Sequence, residues 1–334
     1  MAYDPNVLRR ATQRLTERRR LREEESARRR AEIRAALPQV AKLEGELSGT
    51  MAGVIAAALR HGSDPAPAIE QLKQKNLELQ RRRAQLLTDA GYPADALDDR
   101  PYCPRCGDSG WVGTKMCTCL RQLCTEEQIK ELSKLLDLGE QSFERFSLDY
   151  YSPLPPEGGG KSPRERMNSI FQICRLYANT FPEFRYQNLF LTGAPGLGKT
   201  FLSACIARTV SERGYSVVYD TAVNIFARFE ERKFARDRQG AEDARDETRR
   251  YLHCDLLILD DLGSEMTTPF VQSALYTLIN TRLTAQRRTV ISSNLSMAEV
   301  YRRYSPQIAS RLEGEYQVLF FQGEDIRLLR KQEQ

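Results

Sequence analysis

The stretch that most constrains this chain is NLFLTGAPGLGKTF at residues 188–201. An apolar run, a glycine-rich turn and an amphipathic pattern follow one another, so the segment reads as strand, tight turn and helix. The turn satisfies GxxxxGK[ST] in the strand–turn–helix context that the spacing requires. Gly193, Gly196 and Gly198 let the backbone curl until successive N–H groups point inward, and the helix N-terminus adds its positive end, which together make a phosphate cradle. Ala194, Pro195 and Leu197 complete the turn, and Phe201 follows into the helix. Lys199 is then expected to reach the β- and γ-phosphates of ATP, and Thr200 to offer its hydroxyl to Mg2+.

An acidic pair follows about sixty residues later, in DLLILDD at 255–261. The run 256–259 reads as a fully buried strand, and carboxylates at its C-terminal end sit where ligands bind in parallel sheets. Asp260 is the expected magnesium ligand, directly or through water. Asp261 is the candidate to orient and deprotonate the attacking water, or else a polar turn residue. Asn294, at the tip of TVISSN, would face the γ-phosphate; the bland reading is a strand-end cap. With NLFLT, SVVYDT and YQVLFF these runs make five candidate strands separated by helical patterns, hence an α/β fold with a mostly parallel sheet covered on both faces.

The first hundred residues are different in kind. Residues 1–34 hold eleven Arg against six Asp and Glu, which equals the net charge of +5 of the whole 334-residue chain. A basic arm of this sort suits nucleic acid or an acidic partner, and is equally what a solvated helix shows. One long charged helix is expected over 5–36, stopped by Pro38, a second over about 39–60, and a third capped by Asp64 with Pro65 in its first turn and ending before Gly91. Leu72, Leu79 and Leu86 recur every seven residues, with Ile69, Asn76 and Arg83 on companion positions; a coiled-coil seam and an intramolecular helical hairpin both give this pattern. MAGVIAAAL at 51–59 is too short to span a bilayer, so a cytoplasmic protein without membrane contact is expected.

Cys103, Cys106, Cys117 and Cys119 form a CxxC and a CxC separated by a ten-residue, glycine-containing stretch. Four thiolates so spaced can close a tetrahedron around Zn2+, which with no open position would be structural; an iron–sulfur cluster is the alternative. So small a segment needs the metal for much of its stability. Cys124 is a spare thiol, while Cys174, Cys205 and Cys254 fall in apolar patterns that suit small buried side chains. Residues 120–150 read as connecting helix, and SPLPPEGGGKSP at 152–163 is too rich in Pro and Gly for regular structure. The expected division is a basic helical region over 1–100, a four-cysteine zinc-binding module over 101–124, a connector and linker over 125–165 and an ATPase domain over 166–334.

GAPGLGKTF, LLILDDLGSE, ISSNLS, RYSPQIASRL and GEDIR together closely resemble the AAA+ ATPase core of the DnaC/DnaI-type replicative helicase loaders and their relative IstB. The N-terminal helices followed by CPRCGDSGW and CTC resemble the zinc-bearing loaders of Gram-positive genomes, so the likeness covers nearly the whole chain. It implies an ATP-dependent loader of a replicative DNA helicase onto single-stranded DNA, with Asn294 sensing the γ-phosphate and Arg311 acting as an arginine finger on a neighbouring subunit, hence self-association through the ATP site. It also implies that the AAA+ core binds single-stranded DNA while the N-terminal region, through about residue 120, grips the helicase; the five candidate strands and intervening helices from 145 onward are expected to build a core of their own. Two departures stand out. Few residues follow the last strand, so the helical lid is reduced or absent and Arg327 is a candidate substitute for its sensor arginine. Asp261 also stands where faster AAA+ ATPases carry Glu, which suggests slow turnover. The competing readings are an IstB-like ATPase assisting transposition and a nucleotide-switched DNA-binding protein with little hydrolysis. In NIFARFEERKFARDR at 224–238, Phe226 and Phe229 have helix-core spacing, whereas Phe234 with Arg228, Arg232, Lys233 and Arg236 is the better candidate for stacking on and neutralising DNA.

Overall fold

A computed structural model describes residues 3–58, 66–135, 141–234 and 248–332; Asp64, Pro65, Arg236 and the side chain of Phe234 lie outside the described residues. The chain forms two compact units, one of Gln13–Cys117 and one of Met1–Thr12 with Thr118–Gln334.

The larger unit holds a five-stranded sheet of β3 (Leu189–Thr192), β4 (Val217–Thr221), β5 (Leu256–Leu262), β6 (Arg288–Ser293) and β7 (Gln317–Phe320). The order is β4-β5-β6-β3-β7 and each neighbouring pair is parallel. Strand alternation divides the apolar residues between two layers. Leu189, Leu191, Leu256 and Ile258 face a cluster with Ile170 and Cys174 of α5 (Pro163–Thr180) and Leu202 and Ile206 of α6 (Lys199–Glu212). Phe190, Leu257, Leu259 and Ile291 face a second cluster with Ile225 of α7 (Ala222–Phe234), Leu275 of α8 (Pro269–Thr284) and Leu312 of α10 (Pro306–Glu315). The runs are apolar at consecutive positions because both faces are covered. Phe226 and Phe229 belong to this second core, in keeping with their spacing, and Arg228 pairs with Glu231 at 2.8 Å on the same helix.

Two sequence expectations shift here. The connecting helix α4 spans Thr118–Leu135, not 120–150, and beyond it Phe143–Arg145 is a 3-10 turn. Phe143 and Tyr151 are buried in the first core cluster, and the unpatterned stretch that follows ends at Ser162, whose side chain forms a capping box with Glu165 while Pro163 opens α5. The second shift concerns separability, because α4 is built into the ATPase half. The Gln128 amide donates to Ser211 Oγ at 2.8 Å and to the Tyr215 carbonyl at 2.9 Å, and its oxygen accepts from Val217 N–H at 2.9 Å. The first turns of α1 (Pro5–Ala36) join the same unit: Tyr3 Oη donates to the Gly214 carbonyl at 2.7 Å, Val7 and Ala11 are buried, and Arg10 pairs with Glu131 at 2.7 Å. A core beginning at residue 145 would lose all of these contacts.

In the smaller unit α2 (Pro38–Ala58) packs on α3 (Ala66–Asp89), and Asn76 Nδ2 donates to Thr50 Oγ1 at 2.6 Å. The seven-residue leucine spacing thus serves a helical hairpin within the chain, with Leu79 buried. Much of the basic arm is internally paired along its own helix: Arg20 meets Glu17 at 2.7 Å and Glu24 at 2.5 Å, and Arg19 meets Glu23 at 2.7 Å. Arg29 and Arg30 donate to the carbonyls of Ala96 and Leu97 at 2.8 and 3.0 Å, tying α1 to the small core of Ile33, Val40 and Leu87. No described helix is long and apolar enough to cross a membrane.

Candidate nucleotide site and cysteine cluster

The glycine-rich loop leaves β3 at Gly193, whose φ is +147°. A Cβ there would stand 2.5 Å from the Phe321 carbonyl oxygen, so the loop passes β7 at a distance only glycine permits. Gly198, at φ +84°, turns the chain into α6 and places its N-terminal N–H groups at the loop's concave side. Lys199 Nζ donates to the carbonyls of Gly193 and Ala194, both at 2.8 Å. Burial pulls this ammonium down to about 8, against the opposing pull of Asp260 and Asp261.

Asp260 is 6% exposed and takes three hydroxyl donors. Thr200 Oγ1 donates to Oδ2 at 3.1 Å, Tyr219 Oη donates to the same oxygen, and Ser292 Oγ donates to Oδ1. Strand alternation would send Asp260 and Asp261 to opposite faces, yet both line one cavity. The cause is a bulge: β5 pairs with β6 through Leu259 opposite Ile291 and resumes at Leu262 opposite Ser293, so the two aspartates lie opposite Ser292 alone. Asp261 absorbs the extra residue at φ +58°, donates its N–H to Ser292 Oγ at 3.0 Å, and accepts Asn294 Nδ2 on its carboxylate at 2.9 Å.

The cavity measures about 450 Å³ and is lined by residues 195–201 of the loop and helix, by Asp260, Asp261, Ser292 and Asn294, by part of 141–150, and by Ile326, Arg327 and Arg330 of α11 (Ile326–Gln332). Segment 141–151 is seated on the loop through Tyr151, whose Oη donates to the Leu197 carbonyl at 3.0 Å, and through Phe146, 5.7 Å from Phe201 and stacked at 5.3 Å on Phe171. Of the sequence candidates, Gly193 and Ala194 meet Lys199 through their carbonyls, and the loop from Pro195 onward, the acidic pair, Asn294 and Arg327 meet at this cavity. Arg311 does not. It lies on α10 with its guanidinium 5.3 Å from the Tyr276 ring, and Nη2 donates to Tyr276 Oη at 3.4 Å. Sequence reading missed Tyr219, Ser292 and Gln141. Only the position of the first two near strand tips hinted at them.

The four sulfurs of Cys103, Cys106, Cys117 and Cys119 lie within 4.8 Å of one another. Ligands about 2.3 Å from a tetrahedral zinc would stand about 3.8 Å apart, so the donor set fits such an ion. Cys103 and Cys117 are 3.6 Å apart, and the hairpin of β1 (Trp111–Val112) and β2 (Lys115–Met116) spans the gap between the pairs. One backbone donor faces a sulfur of the cluster, which suits a thiolate ligand: Gly110 N–H donates to Cys106 Sγ at 3.4 Å. The knuckle is braced by Asp108, which accepts Cys103 N–H at 2.8 Å and pairs with Arg22 at 2.6 Å. Cys124 is outside the cluster; burial pushes its thiol up to about 11 and so keeps it protonated. Cys174, Cys205 and Cys254 are buried.

Residues 172–333 match the family described as IstB-like ATP binding protein. The chain is 33% identical over 141 residues to the replicative helicase loader DnaI of Bacillus subtilis (strain 168), a match covering 41% of this chain and 43% of DnaI. It is 29% identical over 131 residues to the chromosomal replication initiator protein DnaA of Aliarcobacter butzleri (strain RM4018), covering 38% of this chain and 28% of DnaA. The chain thus spans less than half the length of either relative. The crystal structure of the DnaC helicase loader aligns with 54% of this chain and 98% of its own at 20% identity and a TM-score of 0.43. The cradle, acidic pair and polar strand tip all fall inside residues 172–333, the stretch that matches the IstB-like ATP binding protein family and is similar in part to the helicase loader DnaI.

Proposed function

We propose that this chain is an ATPase that loads a replicative ring helicase onto single-stranded DNA. The observation that carries the reading is the meeting of Lys199, Thr200, Asp260, Asp261 and Asn294 around one cavity, in a chain whose ATP-binding half resembles DnaI. The loop N–H groups and Lys199 hold the β- and γ-phosphates, and Thr200 and Asp260 hold Mg2+, which neutralises phosphate charge. Asp261, steadied by Asn294, takes a proton from the water that attacks the γ-phosphorus while the bond to the ADP oxygen breaks. Arg311 lies outside its own cavity, which suits a finger offered to a neighbouring copy. Zn2+ at the four cysteines would be structural, and the helical N-terminal region would grip the helicase in the cytoplasm.

Co-purification of the full chain from its native host tests this. Recovery of a replicative helicase, lost when Cys103→Ser and Cys106→Ser are combined, is the expected result. The family match also suits an IstB-like role in transposition, and recovery of a transposase in place of a helicase would favour that role and refute loading.

A further inference from the structure

Asp261 leaves the bulge at φ +58°, a backbone conformation that a residue with a side chain keeps only where its surroundings impose it. Asn294 and Ser292 hold it from the side of β6, one at the carboxylate and one at the N–H. The chain leaving Asp261 is held by a different group. Ser264 closes a tight turn on the Asp261 carbonyl, its N–H donating at 3.2 Å and its Oγ at 2.8 Å. Within that turn Gly263, at φ +106°, lies so close to Leu295, the neighbour of Asn294, that a Cβ would stand 2.7 Å from Leu295 Cδ1. The Gly263 N–H donates to the Glu265 carboxylate at 2.8 Å. Glu265 is 5% exposed, and its other oxygen accepts from the hydroxyl of Tyr304, the residue after α9 (Met297–Arg303). Arg303 completes the junction, its Nη2 donating to the Glu265 carbonyl at 2.5 Å and its Nε to Thr267 Oγ1 at 2.7 Å.

We infer that Glu265 is a positioning residue for hydrolysis: it fixes the turn that follows Asp261 and so aims the Asp261 carboxylate at the attacking water. This rests on the reading of Asp261 as the base. Glu265 does not line the cavity, so it neither meets the nucleotide nor takes the proton. Both of its carboxylate bonds come from neutral groups, and a buried carboxylate so placed is costly; an apolar side chain would fill the space without that cost. What an apolar side chain lacks is an acceptor for the Gly263 N–H, two residues beyond the base and packed on the neighbour of Asn294. Displacing a reacting group by about 1 Å can slow a reaction on the order of 10²-fold. Beyond Asp261, no residue of the turn lines the cavity, so the loss of Glu265 falls on the chemical step and spares ATP affinity.

The test is calorimetric binding and single-turnover hydrolysis of Mg–ATP by the full chain, by Glu265→Ala, Glu265→Gln and Asp261→Asn, and by Asp261→Asn combined with Glu265→Ala. Glu265→Ala should bind Mg–ATP within about twofold of the parent, which also shows that it folds, and hydrolyse it about 30-fold or more slowly. Glu265→Gln keeps an acceptor for the Gly263 N–H and a polar partner for Tyr304, so its rate should recover to within about threefold of the parent. In the Asp261→Asn background the alanine should cost less than about threefold, because no base is left to aim. A loss that multiplies in full in the combined variant, or equal hydrolysis by Glu265→Ala and the parent, overturns the inference and leaves Asp261 as the base. If Glu265→Ala does not fold, Tyr304→Phe takes its place. It removes one donor from the carboxylate and should slow hydrolysis about threefold or more in the parent but not in Asp261→Asn; an unchanged rate in the parent overturns the inference. Asp261→Asn hydrolysing as fast as the parent overturns the reading of the base and the inference with it.

Discussion

Replacing Tyr219 by Phe removes one oxygen and isolates what the hydroxyl does for Asp260. Tyr219 is 5% exposed on β4, and its ring keeps its place in the first core cluster, so no cavity opens. Burial, with Asp260 beside it, raises the hydroxyl's pKa well above the usual tyrosine range, so it remains a donor at any working pH. A hydrogen bond to a charged, buried acceptor is worth about 1.5–3 kcal/mol. Oδ2 would keep only Thr200, at 3.1 Å, so the variant should lose about 2 kcal/mol and the larger unit should melt roughly 4–8 °C lower. If Mg2+ is held at Asp260, Mg–ATP should recover much of this difference, because the ion would satisfy the oxygen that the tyrosine leaves; ATP with EDTA should not. Thermal melts of parent and variant, without ligand, with Mg–ATP and with ATP plus EDTA, measure both effects. A drop of less than about 1 °C without ligand would show that Asp260 does not depend on Tyr219. A deficit that Mg–ATP and ATP with EDTA restore equally would refute magnesium at that carboxylate.

Other substitutions probe the remaining parts. The charged form of Lys199 is the one that binds phosphate, and burial lowers its pKa to about 8, so ATP affinity should hold below that pH and fall about fivefold between pH 8 and pH 9; an equally steep fall in Lys199→Ala would assign the titration elsewhere. Asp261→Asn should bind ATP as the parent does while hydrolysis drops by about 10²-fold or more, and a parallel loss of binding would make Asp261 a cradle residue. Mixing Arg311→Ala with Lys199→Ala should give ATPase activity above the mean of the separate variants, since some composite sites regain both parts; activity that stays at the mean across mixing ratios argues against a finger acting in trans. Cys103→Ser with Cys106→Ser should reduce bound zinc from about one ion per chain to none by elemental analysis while leaving ATP binding in place.

Legibility followed the range of the interactions. Features made by neighbours in the chain were readable directly: five apolar runs became five strands, GAPGLGKTF became the loop, and the paired cysteines came together over a short hairpin. Each is written in a periodicity or a spacing of a few residues. What the sequence could not decide depends on residues far apart in it. The order β4-β5-β6-β3-β7 brings Tyr219 and Ser292 to either side of Asp260, and nothing in SVVYDT or TVISSN marks either hydroxyl as its donor. Period-two alternation would even have separated the acidic pair; the bulge against β6 turns both carboxylates into one cavity. The boundary between the halves moved for the same reason, since the polar helix α4 looks like a connector until the Gln128 amide is seen bonded to Ser211, Tyr215 and Val217. Local patterning, set by steric and hydrophobic preferences within one element, determined which elements form and which residues could bind phosphate or metal. Only tertiary pairing, which satisfies buried polar groups across elements, decided how those residues meet.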